Sequence, residues 1–307
     1  HPAKMAAPDW QYRSSVPGVG WPAIPGGEPA RLLTLLFQLE RSQWLAPEEL
    51  RELQFLQLAK LLRHAYDTVP HYRERWQGFY DPREPLTAER LSRLPMLARG
   101  DLQGHFDALH STDIPAAHKP VAEACSAGST GAPVRVTKSA LTQILSRAVS
   151  MREHAWHGRN LLGKHAAIRH GIEAGQKQGW GPPASDVART GPSVQLPASV
   201  PVHIQLRWLE EHSPDYLLTY PSNLAELLRL SVARGARIPG LREVRTLGEV
   251  VSLELRESCM GTWGGPVVDA YSAQEGGYMA MQCPKHDHYH VQSETVMLEV
   301  VDPDGVG

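Results

Sequence analysis

What most restricts the fold lies in the last third of the chain, where short apolar runs, each stopped by a polar turn, alternate with helical stripes. Tyr216-Leu217-Leu218-Thr219-Tyr220 reads as a buried strand halted by Pro221, and Pro221-Ser222-Asn223 starts a helix over 224–233. Arg245-Thr246-Leu247 is a short strand ending at Gly248-Glu249, with a helix over 252–260 after it. Val267-Val268-Asp269-Ala270-Tyr271 is another strand, with a turn over 272–277, and a helix over 202–212 precedes the first. Such alternation predicts an α/β sheet whose ligands gather at the carboxyl ends of its strands.

The first half is helical in pattern. Leu32, Leu33, Leu35, Leu36 and Leu39 form one stripe, and Ala46-Pro47-Glu48-Glu49 opens a second helix that runs through Leu50, Leu53, Phe55, Leu56, Leu58, Leu61, Leu62 and Ala65 to Val69-Pro70. Shorter pieces are expected around Leu91 and over 101–109, and a long helix over 139–157. Between 158 and 201, Gly, Pro and Ser crowd around one apolar run, Ala166-Ala167-Ile168, which predicts a long irregular stretch serving a site or partly mobile. Residues 1–29 are rich in Pro and Gly and are expected to form an arm over the body or disorder, His1-Pro2-Ala3-Lys4 before Met5 reading as an expression leftover. Residues 30–307 then form the main domain.

A chain of 307 residues buries a large core, or two moderate ones, without disulfides. Its three scattered cysteines, Cys125, Cys259 and Cys283, fit a reducing compartment, so a cytoplasmic protein is expected. The formal charge of -2 conceals no basic or acidic block, which argues against a nucleic-acid or anionic-membrane surface. No apolar run approaches the roughly 20 residues of a membrane span. Small-molecule chemistry is the better expectation.

Ser126-Ala-Gly-Ser-Thr-Gly131, followed by Ala132-Pro133 and the extended run Val134-Arg135-Val136-Thr137, has the makings of a phosphate cradle. Small residues leave backbone N–H groups bare enough to wrap an anion, and Ser126, Ser129 and Thr130 add hydroxyl donors. A turn without a ligand is the other reading. It is not a Walker loop, which needs a Gly-Lys-Ser/Thr ending and a helix directly after it. Three strand ends, Tyr220-Pro-Ser222, Leu247-Gly-Glu249 and Tyr271-Ser-Ala-Gln-Glu275, place a polar or acidic residue after an apolar run, where a carboxylate needs a partner. A metal-bound nucleotide is such a partner: Glu275 suits Mg²⁺, and Tyr271 either stacks on a purine or is a core tyrosine. His154, His157, His165 and His170 read as surface or satisfied histidines, and a hydrolase on Cys125 or Ser126 has no base that singles itself out.

In motif order and spacing the chain resembles the adenylate-forming (AMP-binding) superfamily, and within it the phenylacetate-CoA ligase-like branch with its coenzyme F390 synthetase and CapK-like relatives. The stretches that carry this are 62–73, 94–102, the cradle, Tyr220-Pro-Ser222, Leu247-Gly-Glu249, Tyr271-Ser-Ala-Gln-Glu-Gly-Gly277 and Tyr289-His-Val291, spread over roughly 50–305. The resemblance implies the large N-terminal domain of such an enzyme, mixed sheets flanked by helices, and ATP-dependent activation of a carboxylic acid to an acyl-adenylate with release of pyrophosphate. Transfer to a thiol such as coenzyme A follows, a carrier-protein arm or an amine being other acceptors.

By that similarity Ser126, Gly128, Ser129, Thr130 and Gly131 hold the β- and γ-phosphates, and Gly248, Glu249 and Val250 line the adenine on which Tyr271 stacks. Ser272 and Gln274 add nucleotide contacts, Glu275 carries Mg²⁺, and Thr130 and Glu275 are the catalytic pair. Tyr220, Pro221 and Ser222, with His170 and Gly171, border the acyl pocket.

The sequence departs from the pattern in three places. Ala132 stands where relatives often carry a lysine, leaving Arg135 as a nearby source of charge or a solvated strand residue, and Gln274 replaces a Thr or Ser. The chain also stops at Gly307, after an expected strand over 296–301 and before the small C-terminal domain that the resemblance implies, so it reads as a fragment or the ordered part of one. The rival reading is a non-catalytic scaffold, or a zinc site made from Cys283, His286, His288 and His290, whose spacing is not a finger pattern; a polar turn between two strands is the plain alternative.

Overall fold

Strands covered on both faces of a parallel sheet are mostly apolar, and Tyr216, Leu217 and Thr219 are buried accordingly. The computed structural model describes residues 8–125 and 134–301. Helices α1 (Gly27–Ser42), α2 (Pro47–Thr68), α3 (Pro70–Arg75), α4 (Ala88–Ser92) and α5 (Arg99–Gly104) precede strands β1 (Val121–Cys125) and β2 (Arg135–Ser139). There follow α6 (Ala140–Trp156), β3 (His165–Arg169), β4 (Gly175–Lys177), α7 (Ala184–Val187), β5 (Ser193–Pro197), α8 (Val202–His212), β6 (Tyr216–Thr219) and α9 (Pro221–Arg234). The described part closes with β7 (Glu243–Thr246), α10 (Leu253–Trp263), β8 (Val267–Val268), β9 (Ala270–Ala273), β10 (Gly277–Gln282) and β11 (Tyr289–Val291).

The described residues fall into two compact units. One takes in the chain up to Phe37, Arg147–Ala273 and Tyr278–His290; the other takes in Gln38–Ser146, Gln274–Gly277 and the chain from Val291. In the first, six strands form a sheet in the order β4-β5-β3-β6-β7-β8. All neighbours are parallel except β4, which runs antiparallel to β5. Ala166 and Ile168 of β3, Val194 and Leu196 of β5, Leu217 and Val244 pack against Leu206 and Leu209 of α8 and Leu224, Leu227 and Leu228 of α9. Helix α9 forms where it does because Pro221 sits in its first turn, Leu224, Leu227, Leu228 and Ser231 recur on its buried face, and Gly235 ends it in the left-handed region at φ 64°. Near the chain's beginning, buried Trp10 donates from Nε1 to the Arg159 carbonyl and Arg13 N–H donates to Val187 O, so residues 10–13 of the arm are docked.

The second unit is built on the stretch 58–94. Leu62, Ala65, Val69 and Trp76 are buried, with Tyr66, Tyr72, Tyr80 and Leu91 packed on them, and the Tyr72 and Trp76 rings stack at 4.5 Å. Strands β1 and β2 pair antiparallel, from Val121 opposite Ser139 to Cys125 opposite Arg135.

The mixed α/β class is as the sequence predicts, with five corrections to its elements. The stretch 158–201 is not irregular: it supplies β3, β4 and β5, and strand β1 is likewise unanticipated. The expected strand over 267–271 divides at Asp269, β8 ending in the parallel sheet and β9 joining a second sheet of order β11-β10-β9. There the Asp269 N–H donates to Gln282 Oε1 and its carbonyl accepts from Gln282 N–H, so the ladder changes partner at that residue. The piece over 101–109 breaks after Gly104, and 296–301 has no strand, since a strand exists only within a ladder.

Truncating Leu224, fully buried at the centre of the core, is expected to cost about 2–5 kcal/mol. Urea unfolding of Leu224→Ala measures it, with Val232→Ala, exposed on the same helix, expected to stay within about 0.5 kcal/mol of the parent.

Candidate functional site

The sheet order itself marks where a ligand belongs. From β3 the chain moves outward to β5, then returns across β3 to lay down β6, β7 and β8 on the other side. Connections diverge between β3 and β6, and a crevice opens outside the carboxyl ends of such a strand pair. Residues His170 and Gly171 follow β3, Tyr220 follows β6, and Gly248, Glu249 and Val250 lie just past β7. Parallel pairing sets Ala167 beside Leu218 and Thr219 beside Thr246, so three separate motifs arrive at one edge.

Their contacts are specific. The His170 N–H donates to the Tyr220 hydroxyl at 3.3 Å, and the two rings lie 5.0 Å apart. Gly171 and Gly248 have φ of 69° and 77°, left-handed turns that let the chain reverse directly after β3 and β7. Glu249 reaches the start of α9, where the Ser222 N–H donates to one carboxylate oxygen at 2.8 Å and the Ser222 hydroxyl to the other at 2.9 Å. A carboxylate here offsets the partial positive charge of the helix end. Beneath it, Asn223 donates to Gln205 Oε1 and Thr219 Oγ1, and fully buried Gln205 donates to the Ala198 and Val200 carbonyls, fixing where α9 begins. Pro221 is buried, whereas Val250 is 92 % exposed.

Tyr271 is 57 % exposed on β9 beside exposed Ser272, and Gln274 and Glu275 occupy the exposed turn before β10. Tyr271 is thus not a core tyrosine. Gln274 Oε1 accepts from Lys138 Nζ of β2 at 3.0 Å. This joins the hairpin that brackets the glycine-rich stretch to the turn bearing Glu275, within one unit. Ser126, Gly128, Ser129, Thr130 and Gly131 lie outside the described residues. Arg135 is engaged elsewhere: its guanidinium meets Glu123 at 2.8 Å and lies 3.8 Å over the Phe106 ring. Lys138, rather than Arg135, is the cation placed against the acidic turn, a pairing that β-strand spacing alone could not reveal.

Sequence reasoning also passed over two buried polar groups behind the site. Asp269 is buried and accepts from Thr246 Oγ1 at 3.2 Å and from the Tyr289 hydroxyl at 2.7 Å, while Arg256 donates to both Tyr289 and Gln282. Arg159 bridges Glu153 of α6 and Glu243 of β7 at 3.0 and 2.7 Å, and Arg245 pairs with Glu153 and donates to the Tyr278 hydroxyl. Burial alone would raise the Glu153 carboxyl, but Arg245 and Arg159 hold it below the ordinary range; in Glu243 burial prevails and the carboxyl is raised. Burial, then the nearby arginines, pushes His165 down to about 3, and burial followed by Arg159 takes His157 to about 4. His154 accepts from Arg159 at Nδ1 and is held neutral by the same causes.

No protein-family model matches the chain. It is 26% identical over 199 residues to the phenylacetate-coenzyme A ligase of Aromatoleum evansii, an alignment covering 62% of this chain and 42% of that one. The chain thus spans well under half the length of that curated relative. Among solved structures, 2-hydroxyisobutyryl-CoA ligase in complex with 2-HIB-AMP and CoA, in the thioesterification state, superposes with a TM-score of 0.67 at 17% identity over 85% of this chain and 57% of that one. The open conformation of the same ligase gives 0.61 at 17% identity over 82% and 60%. The fold is one the chain shares with 2-hydroxyisobutyryl-CoA ligase. In sequence the similarity is to a phenylacetate-coenzyme A ligase. No helix among the described residues is long and apolar enough to cross a membrane.

The depressed histidines set an acid limit on stability. Folded His157 and His165 stay neutral well below 6.5, whereas in the unfolded chain they bind protons as pH falls through that value. The unfolded state therefore holds more protons in this window, and Tm is expected to fall as pH drops from about 6.5 toward 4. Scanning calorimetry across that range checks the sign, and His165→Gln is expected to flatten the slope.

Proposed function

We propose that this chain activates a small-molecule carboxylate with ATP, forming an acyl-adenylate with release of pyrophosphate, and passes the acyl group to a thiol such as coenzyme A. What carries the reading is the meeting of His170-Gly171, Tyr220-Pro-Ser222 and Gly248-Glu249-Val250 at the carboxyl edge where the sheet's connections diverge. The 2-hydroxyisobutyryl-CoA ligase neighbours, complexes with an acyl-AMP and CoA, support the same chemistry.

The exposed faces of Tyr271 and Val250 are of the kind a flat purine would cover, and exposed Glu275 offers an oxygen ligand suited to Mg²⁺. The ion would supply neutralisation of the triphosphate. Attack of a carboxylate oxygen on the α-phosphorus, with the bond to pyrophosphate breaking, brings two anions together, so the protein's part is to position and to donate rather than to provide a nucleophile. Lys138 adds a positive charge beside the Gln274–Glu275 turn, and the Gln274 amide remains oriented by that contact. Thr130, Ser129 and Ser126 would donate to the phosphates. Tyr220, with His170 on its hydroxyl side, would border the acid.

ATP–pyrophosphate exchange with the complete protein, run against aryl, hydroxy and fatty carboxylates, tests the proposal. Exchange with one class of acid is expected. Thr130→Ala is expected to lose about 10²–10³-fold in rate, and Glu275→Gln to shift the Mg²⁺ dependence. Exchange with no acid at all would overturn the ligase reading and leave a nucleotide-binding or non-catalytic relative.

A further inference from the structure

One cluster in the first unit takes no part in the proposed reaction. Strands β10 and β11 are joined across a tight loop in which the Cys283 N–H donates to the His288 carbonyl at 2.8 Å, so Cys283 and His288 face each other where the hairpin closes. His290, on β11, is two residues beyond His288. The Cys283 sulfur and one ring nitrogen from each of His288 and His290 all lie within 4.8 Å of one another. In a tetrahedral zinc site with bonds of about 2.0–2.3 Å, ligand atoms stand roughly 3.5 Å apart, so the gap closes with small side-chain rotations. The thiol is buried and free of any disulfide, and the Lys285 N–H points at its sulfur at 3.5 Å, as an N–H that stabilises a thiolate does.

We propose that Cys283, His288 and His290 bind one zinc ion, with a solvent molecule in the fourth position on the exposed side of the loop. One thiolate and two imidazoles form a borderline-soft set that selects zinc over Mg²⁺ or Ca²⁺, which take oxygen ligands. His286 stacks on His288 with centroids 5.6 Å apart and acts as its neighbour rather than as a ligand.

The bound ion acts on the geometry of this ribbon. It ties the ends of β10 and β11, and Tyr289, between the two histidine ligands, donates to Asp269 at the point where the chain passes from β8 to β9. Zinc at the loop thereby steadies the ribbon whose first strand carries Tyr271. The proposal does not depend on the ligase reading, since its readouts are metal content and spectroscopy.

The test is metal analysis of the complete protein purified without added metal or affinity histidines, followed by replacement of the ion with Co²⁺. About one zinc per chain is expected. The cobalt form should show a thiolate-to-metal charge-transfer band in the near ultraviolet that Cys283→Ser abolishes and Cys259→Ala retains. Should a serine variant fold poorly, His290→Asn serves in its place, with an expected loss of zinc affinity of ~10-fold or more. A chelator should lower the Tm of the parent and leave that of Cys283→Ser unchanged. Metal content no higher in the parent than in Cys283→Ser, or a cobalt form without the thiolate band, overturns the proposal.

Discussion

The bridge from Arg159 to Glu153 and Glu243 is the contact on which the arrangement of the sheet's edge rests. Each of these groups is nearly or fully removed from water, and charges so placed are tolerable only when paired. Because Glu243 and Arg245 lie on one face of β7, both are drawn toward α6, leaving Val244 for the apolar core on the other side. The pairing therefore fixes which way β7 faces, and with it the place where Gly248 turns and Glu249 meets the start of α9.

Strand β6 was legible because no charge interrupts Tyr216-Leu217-Leu218-Thr219, and α9 announced itself through Pro221 and Gly235. Strand β5, Ser193-Val-Gln-Leu-Pro197, was not, since its apolar residues alternate with polar ones amid glycines and prolines. Only its pairing with β3 gives Val194 and Leu196 a core to face. Glu243 and Arg245 likewise look like the charges of an exposed edge until the distant residues that neutralise them are known.

The candidate site divides in the same manner. Motif order alone brought out Tyr220, Ser222, Gly248, Glu249 and Tyr271, and the divergence point of the sheet gives the first four a common edge. Not legible were the partners: Glu249 serving Ser222, Lys138 meeting Gln274, and Tyr289 serving Asp269. Each is a contact between residues at least 20 apart in sequence, where local pattern carries no information.

The change of ladder at Asp269 has a mechanical meaning. A residue that leaves one sheet and enters another acts as a pivot, and this one is clamped by side chains from three different elements: Thr246, Gln282 and Tyr289. Tyr271, two residues on, inherits its bearing from that clamp rather than from any contact of its own exposed ring. Drift in the surface around the aromatic ring is thus tolerable to its aim, whereas replacement of a group hidden behind it would turn the ring without touching it.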